Sequence, residues 1–72
     1  DFLKIDGSFI RDIAQNPVHR AMVEAIHKVG QVIGIQTIAE FVEDTTTLDV
    51  VNNIGIDYAQ GYAVGRERAL GG

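Results

Sequence analysis

The sequence predicts an α/β fold whose elements run strand, helix, strand, helix, strand. Three observations predict it. Short apolar, β-branched runs recur at residues 2–5, 35–40 and within 56–64. Helix-length segments with apolar residues at the 3.6 period lie between them. Each of those segments is opened by a capping residue and closed by glycine. Helix-length crossovers between strands imply parallel pairing with right-handed connections.

The first strand, residues 2–5, is closed by Asp6-Gly7-Ser8, which has the composition of a turn. Ser8 is the expected cap of a short helical stretch over residues 9–14. Asn16-Pro17 then opens the strongest helix. Asn suits the N-cap, and Pro at the first helical position gives up only a donor that would have had no partner. Val18, Ala21, Met22, Ala25, Ile26, Val29, Val32 and Ile33 form one unbroken apolar stripe, and Gly34 stands where a left-handed cap belongs. Arg20–Glu24 and Glu24–Lys28 are i,i+4 pairs on the wet face and carry no functional information.

After the second strand, Asp44 or a following Thr is the expected cap of a helix over residues 46–54. Leu48, Val51 and Ile54 face inward and Gly55 ends it. The third strand lies within residues 56–64, with an interruption near Gly61. The small, polar tail, residues 66–72, is expected to fray.

Composition narrows the function classes. The chain has 72 residues, 46% hydrophobic and 22% charged, with one Pro, so it is neither disordered nor low-complexity. Six basic residues against ten acidic ones give a net charge of −4, which argues against DNA or an anionic membrane as a direct partner. With no Cys there is no disulfide framework, thiolate zinc site or Cys nucleophile, a usage that fits a reducing cytoplasm. No apolar run approaches the roughly 20 residues needed to cross a bilayer. Three parallel strands with two helices leave both sheet edges open. A full eightfold α/β barrel needs about 250 residues, of which this chain would supply three strands. The expectation is therefore a βαβαβ piece of a larger domain, prone to associate through its strand edges or its apolar helix stripe.

Candidate chemistry lies at the strand ends. Phe2, Lys4 and Asp6 share one face of the first strand, and Leu3 and Ile5 the other. Lys4 then points into a barrel or toward its rim, although an edge lysine in water is the better account of this segment taken alone. Glu40 ends the second strand and Glu43 follows three residues later, at the end of the strands where α/β folds bind ligands. Two carboxylates there can hold a hard cation or act as acid and base. Glu43 could equally complement a helix N-terminus. Gln60 precedes Gly61, which marks either a close backbone approach or a plain kink. His19 and His27, about 12 Å apart at 1.5 Å per helical residue, are too distant to share a metal and are expected at the surface. No dinucleotide glycine fingerprint, Walker loop or nucleophile elbow is present.

Taken together, Asp1-Phe2-Leu3-Lys4-Ile5-Asp6, Thr37-Ile38-Ala39-Glu40-Phe41-Val42-Glu43 and Gln60-Gly61-Tyr62 resemble the last three strand motifs of the EAL-domain family, bacterial cyclic di-GMP phosphodiesterases built on an α/β barrel. The spacing fits as well, with 36 residues from Lys4 to Glu40 and 20 from Glu40 to Gln60. The resemblance implies that residues 1–72 are the carboxyl-terminal part of one such domain, the last three strands of a TIM-type (β/α)8 barrel. It implies hydrolysis of one phosphodiester of cyclic di-GMP to the linear dinucleotide with two Mg²⁺ or Mn²⁺ ions. Lys4 would be the active-site lysine near the attacking water, Glu40 a metal ligand, Glu43 a supporting acid and Gln60 a group lining the substrate site. Three positions depart from the family pattern. Phe41 stands where Gly is usual, Gly7 where a larger, often basic residue is common, and Glu67 where Pro is common. The namesake Glu-Ala-Leu segment and most metal ligands are expected upstream of Asp1, so this segment alone is expected to hold the ions poorly and to be inactive. A parent that binds cyclic di-GMP without cleaving it is the alternative.

Overall fold

The computed structural model describes residues 1–64 and 68–70. Its elements are β1 (Phe2–Ile5), α1 (Gly7–Ile10), α2 (Pro17–Ile33), β2 (Gln36–Ala39), α3 (Thr45–Ile54), β3 (Tyr58–Ala59) and β4 (Arg68–Ala69). The sheet order is β1-β2-β3-β4. β1 pairs parallel with β2, Lys4 opposite Ile38 and Ile5 opposite Ala39. β2 pairs parallel with β3, Ile38 opposite Tyr58 and Ala39 opposite Ala59. This is the α/β fold with a parallel sheet that the sequence predicts.

Both long helices start and stop for the expected reasons. The Asn16 side chain accepts from the Val18 and His19 amides, each at 3.1 Å, Pro17 opens the first turn, and Gly34 closes α2 in the left-handed region at φ 80°. Asp44 accepts from Thr47 N at 2.7 Å and Gly55 closes α3 at φ 95°. Replacing Asn16 by Ala should cost about 1 kcal/mol of stability, as chemical denaturation would report.

Four expectations are corrected. The short helix is α1, Gly7–Ile10, and Asp6 caps it through the Ser8 amide and hydroxyl, because Asp6 already lies at the strand end where the chain turns. The tail does not simply fray. Arg68–Ala69 pairs antiparallel with β3 and covers its edge, so that edge is not left open by the first three strands, and Leu70 N donates to Asp57 O at 2.8 Å. The remaining tail residues, 66, 67, 71 and 72, lie outside the described ones.

The third correction concerns α2. The helix buries Val23, His27 and Gly30, while Val18, Met22, Val29, Val32 and Ile33 of the apolar stripe are exposed, Val32 at 76%. Gly30 explains the choice of face. A Cβ there would lie 3.0 Å from Ile35 O and 3.1 Å from Thr37 Cγ2, so the helix approaches β2 through its one residue without a side chain. The stripe lies to one side of that contact: Ile26 packs partly against the core, and among the described residues nothing covers the exposed members.

The fourth is His27, which is buried rather than at the surface. Its Nδ1 lies 2.8 Å from Thr37 Oγ1, and Asp57 accepts from the Thr37 amide at 2.9 Å. This chain of polar groups ties α2, β2 and the α3–β3 junction together, and its members satisfy one another as buried polar groups must. His19 does sit partly exposed, 2.6 Å from Asp12 Oδ1. That bond and the Asn16 amide hold the Asp12 carboxyl below its ordinary range.

The core joins Ile5, Ile10, Ile13, Val23, Ala39, Val42, Val51, Ile56 and Ala59. Ile38 is equally buried but stands apart from this cluster. Side chains alternate along a strand. The sheet face of Ile5, Ala39 and Ala59 therefore meets the helices, and that of Lys4, Ile38 and Tyr58 is the opposite one.

Candidate functional site

Glu40 and Gln60 are the residues that follow β2 and β3, at the carboxyl ends of two adjacent parallel strands. Their backbones continue the pairing, with Glu40 N donating to Ile5 O at 3.3 Å and Gln60 N to Ala39 O at 2.9 Å. By alternation their side chains belong to the face of Ile38 and Tyr58, away from the helices.

The loop carrying Glu43 is laced to the segment after β3. Val42 N donates to Gln60 O at 3.0 Å and Ala63 N to Val42 O at 2.9 Å. Tyr62 N donates to Glu43 Oε2 at 3.3 Å, which fixes the carboxylate over the turn. Val42 is fully buried and anchors the loop from below.

Gly61 makes this lacing possible. Its φ is 148°, and a Cβ there would overlap Val42 N and lie 2.6 Å from Val42 O. Of the two accounts open from the sequence, the close backbone approach is therefore the one realised.

These contacts bring Glu40, Phe41, Glu43, Gln60 and Gly61 around one cavity of about 300 Å³. Lys4 does not line it. It lies on a second, larger and mainly apolar cavity of about 420 Å³ with Leu3, Ile5, Asp6, Phe9, Ala25, Ile26 and Val29. Lys4 nonetheless shares the sheet face of Glu40 and Gln60 through its register with Ile38. Three of the four site residues expected from the sequence are thus assembled, and the fourth stands on the adjacent strand.

Two neighbouring carboxyls are held in their charged form. The Ser8 hydroxyl and then its amide lower that of Asp6, and the Thr47 amide and then its hydroxyl lower that of Asp44. Both are spent on helix caps. Glu43, whose oxygen meets the Tyr62 amide, is not the cap of α3, so the helix-terminus account of it belongs to Asp44 instead.

Oxygen donors suit a hard divalent cation. Glu40 and Glu43 are such donors, but among the described residues no three His, Cys, Asp or Glu converge as a metal-ligand group.

The family model for the EAL domain matches residues 1–67. The chain belongs to the EAL domain family. It is 49% identical over 70 residues to the cyclic di-GMP phosphodiesterase PdeB of Shewanella oneidensis, covering 97% of this chain and 8% of that protein. It is 40% identical to the cyclic di-GMP phosphodiesterase PdeF of Escherichia coli, covering 97% of this chain and 9% of that one. This EAL chain thus spans less than a tenth of the length of either relative. Among solved structures it resembles the EAL enzyme Bd1971 in its cAMP- and cyclic-di-GMP-bound form, with a TM-score of 0.86 and 33% identity over 97% of this chain and 19% of that one.

Two features of this EAL segment escape a reading of the sequence. Phe41 has a positive φ of 63°, and its ring lies against Gly7 and under the Arg11 guanidinium, 5.8 Å from the ring centroid. Tyr62 is the most exposed large apolar side chain, at 87%. The departures at positions 7 and 41 were the available signal for the first; Tyr62 gives none.

Proposed function

We propose that this chain is the carboxyl-terminal part of an EAL barrel, its last three parallel strands, in a protein that hydrolyses one phosphodiester of cyclic di-GMP to the linear dinucleotide. The observation that carries this reading is the convergence of Glu40, Glu43 and Gln60 on one cavity at the carboxyl ends of parallel strands, the end at which barrel enzymes build their sites. The exposed part of the α2 stripe, Val18, Met22, Val29, Val32 and Ile33, supports the rest, because a helix of a complete barrel would bury it against neighbours.

Glu40 would hold one of two divalent ions, Mg²⁺ or Mn²⁺, and Glu43 would support that site from the loop. When bound, such ions stabilise charge on attacking and leaving oxygens and lower the pKa of water. Lys4 would place an ammonium beside the reacting phosphoryl group, where a fixed cation stabilises developing charge or orients the nucleophile. Gln60 would hydrogen-bond the substrate through its amide. Most ligands lie outside this segment in such a barrel. The isolated 72 residues would therefore be inactive, and their open faces would drive self-association. A site of this kind would work on an intracellular nucleotide, and the domain would then act in the cytoplasm.

The deciding assay incubates the complete domain carrying this segment with cyclic di-GMP and Mg²⁺ or Mn²⁺. Formation of the linear dinucleotide, dependent on the ion, is the expected result. Tight binding without turnover would make the parent a receptor, and neither binding nor turnover would overturn the cyclic di-GMP reading.

A further inference from the structure

Phe41 combines a positive backbone φ with a half-exposed aromatic side chain. A non-glycine residue at φ 63° occupies a strained region of backbone space. The side chain so placed is a large apolar one, 52% exposed to solvent. Strain and exposure coincide at a residue that lines the cavity with Glu40, Glu43, Gln60 and Gly61.

The surroundings are shaped for this ring. A Cβ added at Gly7 would run into Phe41 Cδ2 and lie 2.6 Å from Cγ and 2.8 Å from Cε2. Any side chain at position 7 would therefore expel the ring from its seat. Arg11, one turn on from Gly7, places its guanidinium 5.8 Å from the ring centroid, within cation–π range. Gly7 and Arg11 hold a ring that stays half exposed where it lines the cavity.

We propose that Phe41 is a stacking platform for one purine of the cyclic dinucleotide, seated by Gly7 and Arg11. The inference rests on the cyclic di-GMP reading above and adds a specificity-determining residue to it. A planar base has a π-face to offer an aromatic ring. The phosphate end of the same ligand would then lie toward Glu40, the residue immediately before it in the chain.

The test uses the complete domain with wild-type, Phe41→Gly, Phe41→Leu and Phe41→Trp forms. Gly accepts the positive φ without strain, and Leu keeps apolar bulk over Gly7 without an aromatic face. Loss of one base stack should raise KM for cyclic di-GMP by about 5- to 150-fold in the Gly and Leu forms, with kcat within a few-fold of wild type. The Leu form should keep the wild-type melting temperature, so that its KM change is not a folding effect. Phe41→Trp should retain the wild-type KM, and its indole emission should change as cyclic di-GMP saturates the site. Wild-type turnover with an unchanged KM in the Gly and Leu forms would overturn the stacking proposal alone. A wild-type domain that neither binds nor cleaves cyclic di-GMP would overturn it together with the reading it rests on.

Discussion

Glu40→Gln should lower hydrolysis of cyclic di-GMP by the complete domain about 10²–10³-fold, with Lys4→Ala falling by a comparable factor, the range typical of removing one charge-stabilising group from a reacting centre. Glu40 is only half-buried and its backbone amide, not its side chain, holds it to Ile5 O, so the amide variant keeps the strand pairing. Lys4 is exposed on β1, and its removal leaves the core untouched. Both variants should therefore melt like the wild type. They should part company in a metal titration. Glu40→Gln removes an oxyanion donor and should weaken Mn²⁺ binding, whereas Lys4→Ala removes a cation and should not. Full activity in either variant would remove that residue from the reaction, and weaker Mn²⁺ binding in Lys4→Ala would mean that the ammonium acts through the ion site.

That these residues could be named from the sequence has a physical basis. A strand end is legible where a β-branched run stops at a polar residue, as Thr37-Ile38-Ala39 does at Glu40. Helix ends are legible where the backbone must be capped, as at Asn16-Pro17, Gly34, Asp44 and Gly55. What stayed hidden depends on partners distant in the chain. The apolar stripe of α2 follows the 3.6 period and leaves out Val23, the apolar residue that the helix buries fully. The face set against β2 was chosen instead by Gly30, through a close approach to Ile35 and Thr37. Burial of His27 required Thr37, ten residues on, to meet its ring nitrogen, and Thr37 in turn needed Asp57. β4 is only two residues long, too short to carry a pattern, and exists because β3 offered an edge. Gly7 and Phe41 were visible as two separate departures. Only their contact makes them one feature.

Gly61→Ala should destabilise the domain by about 3 kcal/mol or more, the largest stability effect expected of a one-carbon change here, since it combines backbone strain with overpacking against atoms that cannot yield. Its φ of 148° is unfavourable for alanine, and the new Cβ would lie 2.6 Å from Val42 O and 2.9 Å from Val42 C. Those are backbone atoms of a fully buried residue, not the tip of a flexible side chain. Val42 cannot retreat without stretching its bonds to Gln60 O and from Ala63 N, which are the bonds that close the loop over the strand end. Gly55→Ala is the control. That residue also has a positive φ, of 95°, but its nearest contact would be His27 Nε2 at an ordinary 3.5 Å, so only the conformational cost of about 1 kcal/mol applies. A melting-temperature comparison should therefore place Gly61→Ala well below Gly55→Ala. Equal losses would mean that the Val42 contact relaxes freely and that the cavity does not depend on it. If the contact is as rigid as its hydrogen bonds require, Gly61→Ala should forfeit stability and cyclic di-GMP hydrolysis together, because Glu40, Phe41 and Glu43 ride on the loop that Val42 anchors. Glu40→Gln should forfeit only the second.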